Sequence, residues 1–173
     1  HADSPQYAAA QCYYAVANDH LGHGASVVTD DQHGYFGHPN GNECVIADIH
    51  TLRTMTQKKY PDKPYFMLGH SMGSFLIRQY MEMYGSGLSG VIVMGTGAQP
   101  GAALFFGKLL CKVIAAFKGD DYRSAFVDNM AFGGYNKRFE PARTDKDWLT
   151  RDEKEVDAYL ANPWCTFRFT VNA

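Results

Sequence analysis

No stretch of this 173-residue chain is apolar for long enough to cross a bilayer. The longest apolar run, Ala102 to Phe117, is broken by Lys108 and Lys112, and a spanning helix needs about 20 mostly apolar residues. Charge of one sign is not in excess either. Sixteen basic and 18 acidic residues leave a formal net charge of -2 with no polybasic run, which argues against nucleic acid as a partner. Cysteine is sparse. Cys12, Cys44, Cys111 and Cys165 are widely spaced, with no C-x-x-C pair, so neither a zinc site nor a disulfide framework is indicated. Free thiols in a reducing compartment are the plain reading. Residues 1–10 lack the basic and apolar regions of a signal peptide, so the expectation is a cytoplasmic protein. Internal repeats and low-complexity segments are also missing.

What is present is a chain 46% hydrophobic, enough for a domain with a real core. Three short β-rich runs stand out: Tyr13 to Ala17, Tyr65 to Leu68 and Gly90 to Met94. Each is apolar on both faces, as a buried parallel strand should be, and each stops at Gly or Asn-Asp. Helical periodicity fills the gaps. Cys44 to Tyr60 repeats Val45, Ile49, Leu52 and Met55 before Pro61, and Gly73 to Tyr84 repeats Phe75, Leu76, Tyr80 and Met83 before Gly85. Alternating strands and helices predict an α/β fold with a parallel sheet.

After Gly97 strand signals almost vanish. Residues 102–117 predict an amphipathic helix, with Lys108 and Lys112 on one face and Leu104, Phe105, Leu109, Val113 and Phe117 on the other. Packing is the simpler use of the Phe105, Phe106, Leu109, Leu110 stripe, and an acyl-chain pocket or a lipid-surface contact is the functional one. Thr150-Arg151-Asp152-Glu153 reads as a capping box opening a helix to about Ala161. The division expected is a core over 1–97, a helical lid over 98–165, and a return toward the core over 166–173. Such a lid suits the strand ends, where ligands of α/β sheets bind.

The chemistry centres on Gly69-His70-Ser71-Met72-Gly73, a G-x-S-x-G match with an apolar strand before it and an amphipathic helix after it. That context makes the motif specific. A serine on a sharp strand-to-helix turn is lifted to the top of the sheet. The glycines on both sides are expected to avoid collision with the turn. The Met72 N–H, opening a helix, is aimed at a developing oxyanion.

Residues 64–74 resemble the nucleophile elbow of the monoacylglycerol lipase and lysophospholipase branch of the α/β-hydrolases. Residues 18–26, with the pattern D-x-x-G-x-G-x-S from Asp19 to Ser26, resemble that branch's turn after an early strand. The segment Phe139 to Asp152, with Arg143-Thr144 and Asp147-Trp148-Leu149, is similar to the lid of one bacterial subgroup. The resemblance implies an α/β-hydrolase with an inserted lid. It also implies hydrolysis of acylglycerol or lysophospholipid esters, Ser71 as nucleophile, and no metal or organic cofactor. A peptidase or thioesterase on the same scaffold is the alternative, as is a non-catalytic binding module.

The chain departs from that pattern in three respects. The fold orders its triad as Ser, acid, His, yet His1, His20, His23, His33, His38, His50 and His70 all precede Ser71. No strand ending in an acid follows the lid. The second oxyanion donor of the family comes from a His-Gly loop, and the chain opens near that point with His1-Ala2-Asp3. A piece of a longer hydrolase is expected rather than a member that lost its triad, because the other motifs are intact. Substitution by an early histidine is the third reading. His20 and His23 are placed at the pocket rim, and His70 there too with its ring directed away from Ser71. Asp19, His20 and His23 could be drawn as a metal site, but a post-strand turn explains them better. Gly85 to Gly90 formally matches G-x-G-x-x-G, yet it follows a helix and opens a strand, the reverse of a dinucleotide fingerprint. A sheet cut short would leave an unpaired edge, so a homo-oligomer or aggregation is expected.

Overall fold

Segments whose apolar residues recur every three or four positions form the helices of this computed structural model, which describes residues 3–173, with side chains from Gln6 onward. The chain divides into two compact units: one runs through His20 and resumes over Asn42–Ala98, the other combines Leu21–Gly41 with Gln99–Ala173.

The first unit opens with α1 (Asp3–Ala10) and then α2 (Gly41–Lys59). On α2, Val45, Ile46 and Arg53 are buried, one face at helical spacing. Lys58 and Lys59 in the last turn complement the carbonyl end of the dipole. Strand β1 (Phe66–His70) leads through Ser71 into α3 (Met72–Tyr84), and β2 (Gly90–Met94) returns parallel to β1. The register pairs Phe66 with Gly90 and His70 with Met94. Helix α3 buries Ser74, Leu76, Ile77 and Tyr80 and covers the sheet face that carries Gly69. Gly85 stops α3 by donating its N–H to the Met81 carbonyl (3.0 Å), and Gly87 turns the chain at a φ of 76° into β2. The 85–90 glycines therefore make a helix stop and a turn.

Two expectations fail in this unit. Tyr13 to Ala17 forms no strand, because among the described residues it has no ladder partner; it is exposed, with Tyr14 stacked on Tyr60 at 4.2 Å. Nor are β1 and β2 covered on both faces. Phe66, Leu68 and His70 share one face with Ile92 and Met94, and that face is open, Leu68 at 61% exposure and Ile92 at 54%.

Helices α4 (Gly101–Lys118), α5 (Ala125–Phe132), α6 (Glu153–Ala161) and α7 (Pro163–Thr166) belong to the second unit. Its buried residues include Phe36, Ser124, Val156 and Thr170. The Gly34 carbonyl accepts from both the N–H and the hydroxyl of Thr170 (3.1 Å each), and Arg123 donates to the carbonyls of Asp31 (2.5 Å) and His33 (2.6 Å). Residues 21–41 are thus tied to the C-terminal segment by bonds no local pattern announces. Asp152, not Thr150, caps α6: its carboxylate accepts the Lys154 N–H at 3.0 Å, while the Thr150 hydroxyl accepts from the Asp152 N–H two residues earlier. The capping chemistry is the expected kind, shifted by two residues. The preceding loop is closed by Asp147, which accepts the backbone N–H groups of Arg143 (2.6 Å) and Thr144 (3.1 Å). The Thr144 hydroxyl and these N–H groups hold the Asp147 carboxyl below its ordinary value.

Candidate functional site

The junction between β1 and α3 is a sharp elbow, and its geometry follows from three local facts. First, Ser71 has φ 52° and ψ -119°, a conformation sparsely allowed to any residue with a Cβ and costing on the order of 1–3 kcal/mol. Second, neighbours hold that conformation in place. The Ser71 N–H donates to the Met94 carbonyl at the end of β2 (3.1 Å). The Ser71 carbonyl accepts both the Ser74 N–H (2.9 Å) and the hydroxyl of Ser74, a fully buried side chain (2.5 Å). Third, Gly69 lets α3 approach. A Cβ there would stand 2.7 Å from the Gly73 carbonyl carbon and 2.8 Å from Ile77 Cγ2. Gly73 is different: a Cβ at that position meets nothing within 4 Å. Only the first of the two flanking glycines is sterically required.

A serine preceding a helix usually spends its hydroxyl on the N–H groups of the first turn. Ser71 does not. Its side chain caps nothing, and among the described residues its Oγ has no hydrogen-bond partner. The residue is exposed. The Met72 N–H, the first of α3, likewise has no acceptor among the described residues. An exposed, uncommitted hydroxyl beside an unpaired helix N-terminal donor suits nucleophilic attack on a carbonyl whose oxygen becomes negative.

The three histidines expected at a pocket rim lie in different surroundings. His70 ends β1, exposed, with its ring against Gly95. His20 is half-buried, and Asn18 Nδ2 donates to its Nδ1 over a long 3.5 Å. His23, in the second unit, donates Nδ1–H to the Leu21 carbonyl (3.0 Å) and packs edge-on against Phe167 at 5.2 Å and obliquely against Phe169 at 5.6 Å. None makes a hydrogen bond to Ser71. His1 and Ala2, where the second oxyanion donor was sought, lie outside the described residues.

Among the described residues, no three or more His, Cys, Asp or Glu side chains converge as metal ligands. The second unit carries a cavity of about 270 Å³ between Phe139, Arg143, Asp147 and Val156. Its Arg143 is already committed to Asp157 at 2.7 Å.

Sequence reasoning missed the supports of the elbow. Ser74 directly follows the motif and was readable as a second serine on the same turn. The Met94 carbonyl was not readable, because strand register is a long-range property.

A parallel sheet with flanking helices, entered through a strained serine at a strand-to-helix turn, defines the chain as an α/β-hydrolase fold. Comparison with known proteins places it more narrowly. Residues 4–173 match the family described as serine aminopeptidase, S33, and the chain belongs to that family. It is 31% identical to mouse monoglyceride lipase over 155 residues and 27% identical to human monoglyceride lipase over 156, covering in each case 85% of this chain and 41% of the lipase. The chain thus spans about two fifths of the length of these relatives. A thermostable carboxyl esterase from Bacillus coagulans, solved in complex with glycerol, superposes with a TM-score of 0.77 at 33% identity, over 89% of this chain and 50% of the esterase.

Proposed function

We propose that Ser71 is the nucleophile of a carboxylic-ester hydrolase acting on lipid-like acyl esters of the monoacylglycerol or lysophospholipid type. The observation that carries this reading is the backbone of Ser71 at φ 52°, with its hydroxyl released from capping. In the reaction, Ser71 Oγ bonds to the ester carbonyl carbon and the carbonyl oxygen takes the negative charge beside the Met72 N–H. The alkoxide then leaves with a proton, and water releases the acid. The names of the lipases and the esterase support the ester and the acyl character of the substrate.

The Ser71 proton needs an acceptor, and no histidine follows Ser71. Without an aligned base, catalysis falls to the residual 10³–10⁴-fold, about the level left by an oxyanion site and binding. The test compares p-nitrophenyl butyrate and palmitate hydrolysis by the chain, verified at 19.3 kDa, with the Ser71→Ala variant. A slow rate that vanishes in the variant, with an acyl adduct mapped to Ser71 by mass spectrometry, is expected. Equal rates in the two proteins, with no adduct, would sink the assignment.

A second reading is a module that binds acyl ligands without turning them over and does not depend on the Ser71 hydroxyl. It predicts palmitate binding unchanged by Ser71→Ala and no adduct. The family description brings in amide substrates, which an aminoacyl amide beside the two esters would reveal.

A further inference from the structure

Ser74, on the first turn of α3, is fully buried, and its hydroxyl is spent in one direction. It donates to the Ser71 carbonyl (2.5 Å), which also accepts the Ser74 N–H (2.9 Å). The usual start of a helix runs the other way: the side chain of the capping residue takes an N–H of the first turn. Here the Ser74 N–H goes to the backbone of Ser71, and the Ser71 side chain caps nothing. A buried serine in a helix interior often bonds back to the preceding turn to satisfy itself. This one reaches out of the helix, to the carbonyl of a residue at φ 52°.

That carbonyl shares one planar peptide unit with the Met72 N–H. The unit is trans, since the cis bonds among the described residues are His38-Pro39 and Glu140-Pro141. In a trans unit the C=O and the N–H point in opposite directions from one rigid plane. Whatever grips the oxygen therefore aims the hydrogen. A soft motion that would re-aim it is rotation about the Ser71 Cα–C bond, at ψ -119°, which swings the Met72 N–H relative to Ser71 Oγ. Two donors on one oxygen, one of them a buried side chain, oppose that rotation. We propose that Ser74 is a positioning residue: its hydroxyl grips the Ser71 carbonyl and, through the shared peptide plane, aims the Met72 N–H at the oxyanion. The inference rests on the reading of Ser71 as nucleophile. Such a donor counts only where charge develops, so the effect belongs to the transition state and not to the binding of the ester.

The experiment follows acylation of Ser71 in the full chain by p-nitrophenyl butyrate and by its thiono analogue, whose sulfur is a weak hydrogen-bond acceptor. Mass spectrometry quantifies and maps the adduct in the parent, Ser74→Ala and Ser74→Thr. Losing an oxyanion donor outright costs about 10²–10³-fold, so a misaimed one should cost about tenfold. Ser74→Ala should show that fall in the maximal rate with the ester, at an unchanged half-saturating concentration, and almost none with the thiono ester. Ser74→Thr keeps a hydroxyl that can reach the same carbonyl and should restore most of the rate. A merely structural loss would slow both reagents alike. Urea unfolding verifies that the variants fold, and the parent gives a reading that needs no variant: it should prefer the ester over the thiono ester more than hydroxide does. Equal ester rates in the parent and Ser74→Ala, with the adduct on Ser71, overturn the role of Ser74 alone. So does an equal fall with both reagents, a folded Ser74→Thr as slow as Ser74→Ala, or a parent with the preference of hydroxide. A parent that carries no adduct on Ser71 sinks the nucleophile reading itself, and the role of Ser74 with it.

Discussion

Ser71 keeps its backbone in an unfavourable region because three hydrogen bonds fix its two ends. Met94 holds the N–H, and Ser74 holds the carbonyl with both its own N–H and its hydroxyl. Gly69 contributes by subtraction, since the space of its missing side chain is where α3 passes. A Gly69→Ala change should therefore cost about 1–3 kcal/mol, the usual penalty of forced overpacking. Gly73→Ala should be neutral or slightly stabilising, because open space surrounds that position and alanine is the better helix former by up to about 1 kcal/mol. Urea unfolding of the two variants measures the difference. Equal losses would mean that Gly73 is sterically required after all. The serine was legible in the sequence because an elbow is a local device: five residues specify it, and the flanking patterns place it. Its anchor on Met94 was not, since 22 residues of intervening chain separate the two and only pairing joins them.

Among the elements, α2 and α3 meet through an unusual contact. Arg53 is buried on the otherwise apolar face of α2, four residues after Ile49. Among the described residues no acid pairs with it. Its guanidinium donates to the Tyr84 carbonyl (2.6 Å), the Ser86 carbonyl (2.7 Å) and Gln57 Oε1 (2.8 Å), with the rings of Tyr65 and Tyr80 about its charge. The cation sits where the carbonyls at the end of α3 lack helix partners. Hydrogen bonds to a charged group contribute about 1.5–3 kcal/mol each, and stranded carbonyls add to the loss. Arg53→Met should lower stability by about 3 kcal/mol or more, seen as a lower urea midpoint. A loss below about 0.5 kcal/mol, the range of surface substitutions, would deny Arg53 this role. Helices α2, α3 and α4 were readable from their periodicity and α6 from its capping signal, each within a few residues, because such signals are written along the element's own length. Tyr13 to Ala17 was not, because a β-rich composition becomes a strand only when another strand pairs with it. The cap of α6 moved from Thr150 to Asp152 because both residues can cap, and loop geometry decides between them.

At the level of the whole molecule, the division into two units was only partly legible. Residues 21–41 group with the C-terminal half through Gly34, Asp31 and His33, contacts that span 90 residues or more. No periodicity reports such contacts. The sheet, too, has a property visible only in the folded chain. Parallel sheets are ordinarily covered on both faces, yet Phe66, Leu68, Ile92 and Met94 remain exposed here. Apolar surface of that kind promotes association. Light scattering should give a mass above 19.3 kDa that rises with concentration, and Leu68→Lys should bring it back toward the monomer. A single 19.3 kDa species at every concentration would contradict this expectation.

The bond from Ser71 to Met94 also bears on how this fold can vary through evolution. Because the serine is pinned to the last residue of β2, its location is measured from that strand and not along the loop that connects them. The turn over residues 85–88 can gain or lose length while the hydroxyl stays in place. An extra residue within Gly90–Met94 has no such freedom, since it slides the pairing by about 3.3 Å and turns the strand's faces over. Insertions drifting into relatives of this chain therefore have a permitted address and a forbidden one, only a few residues apart.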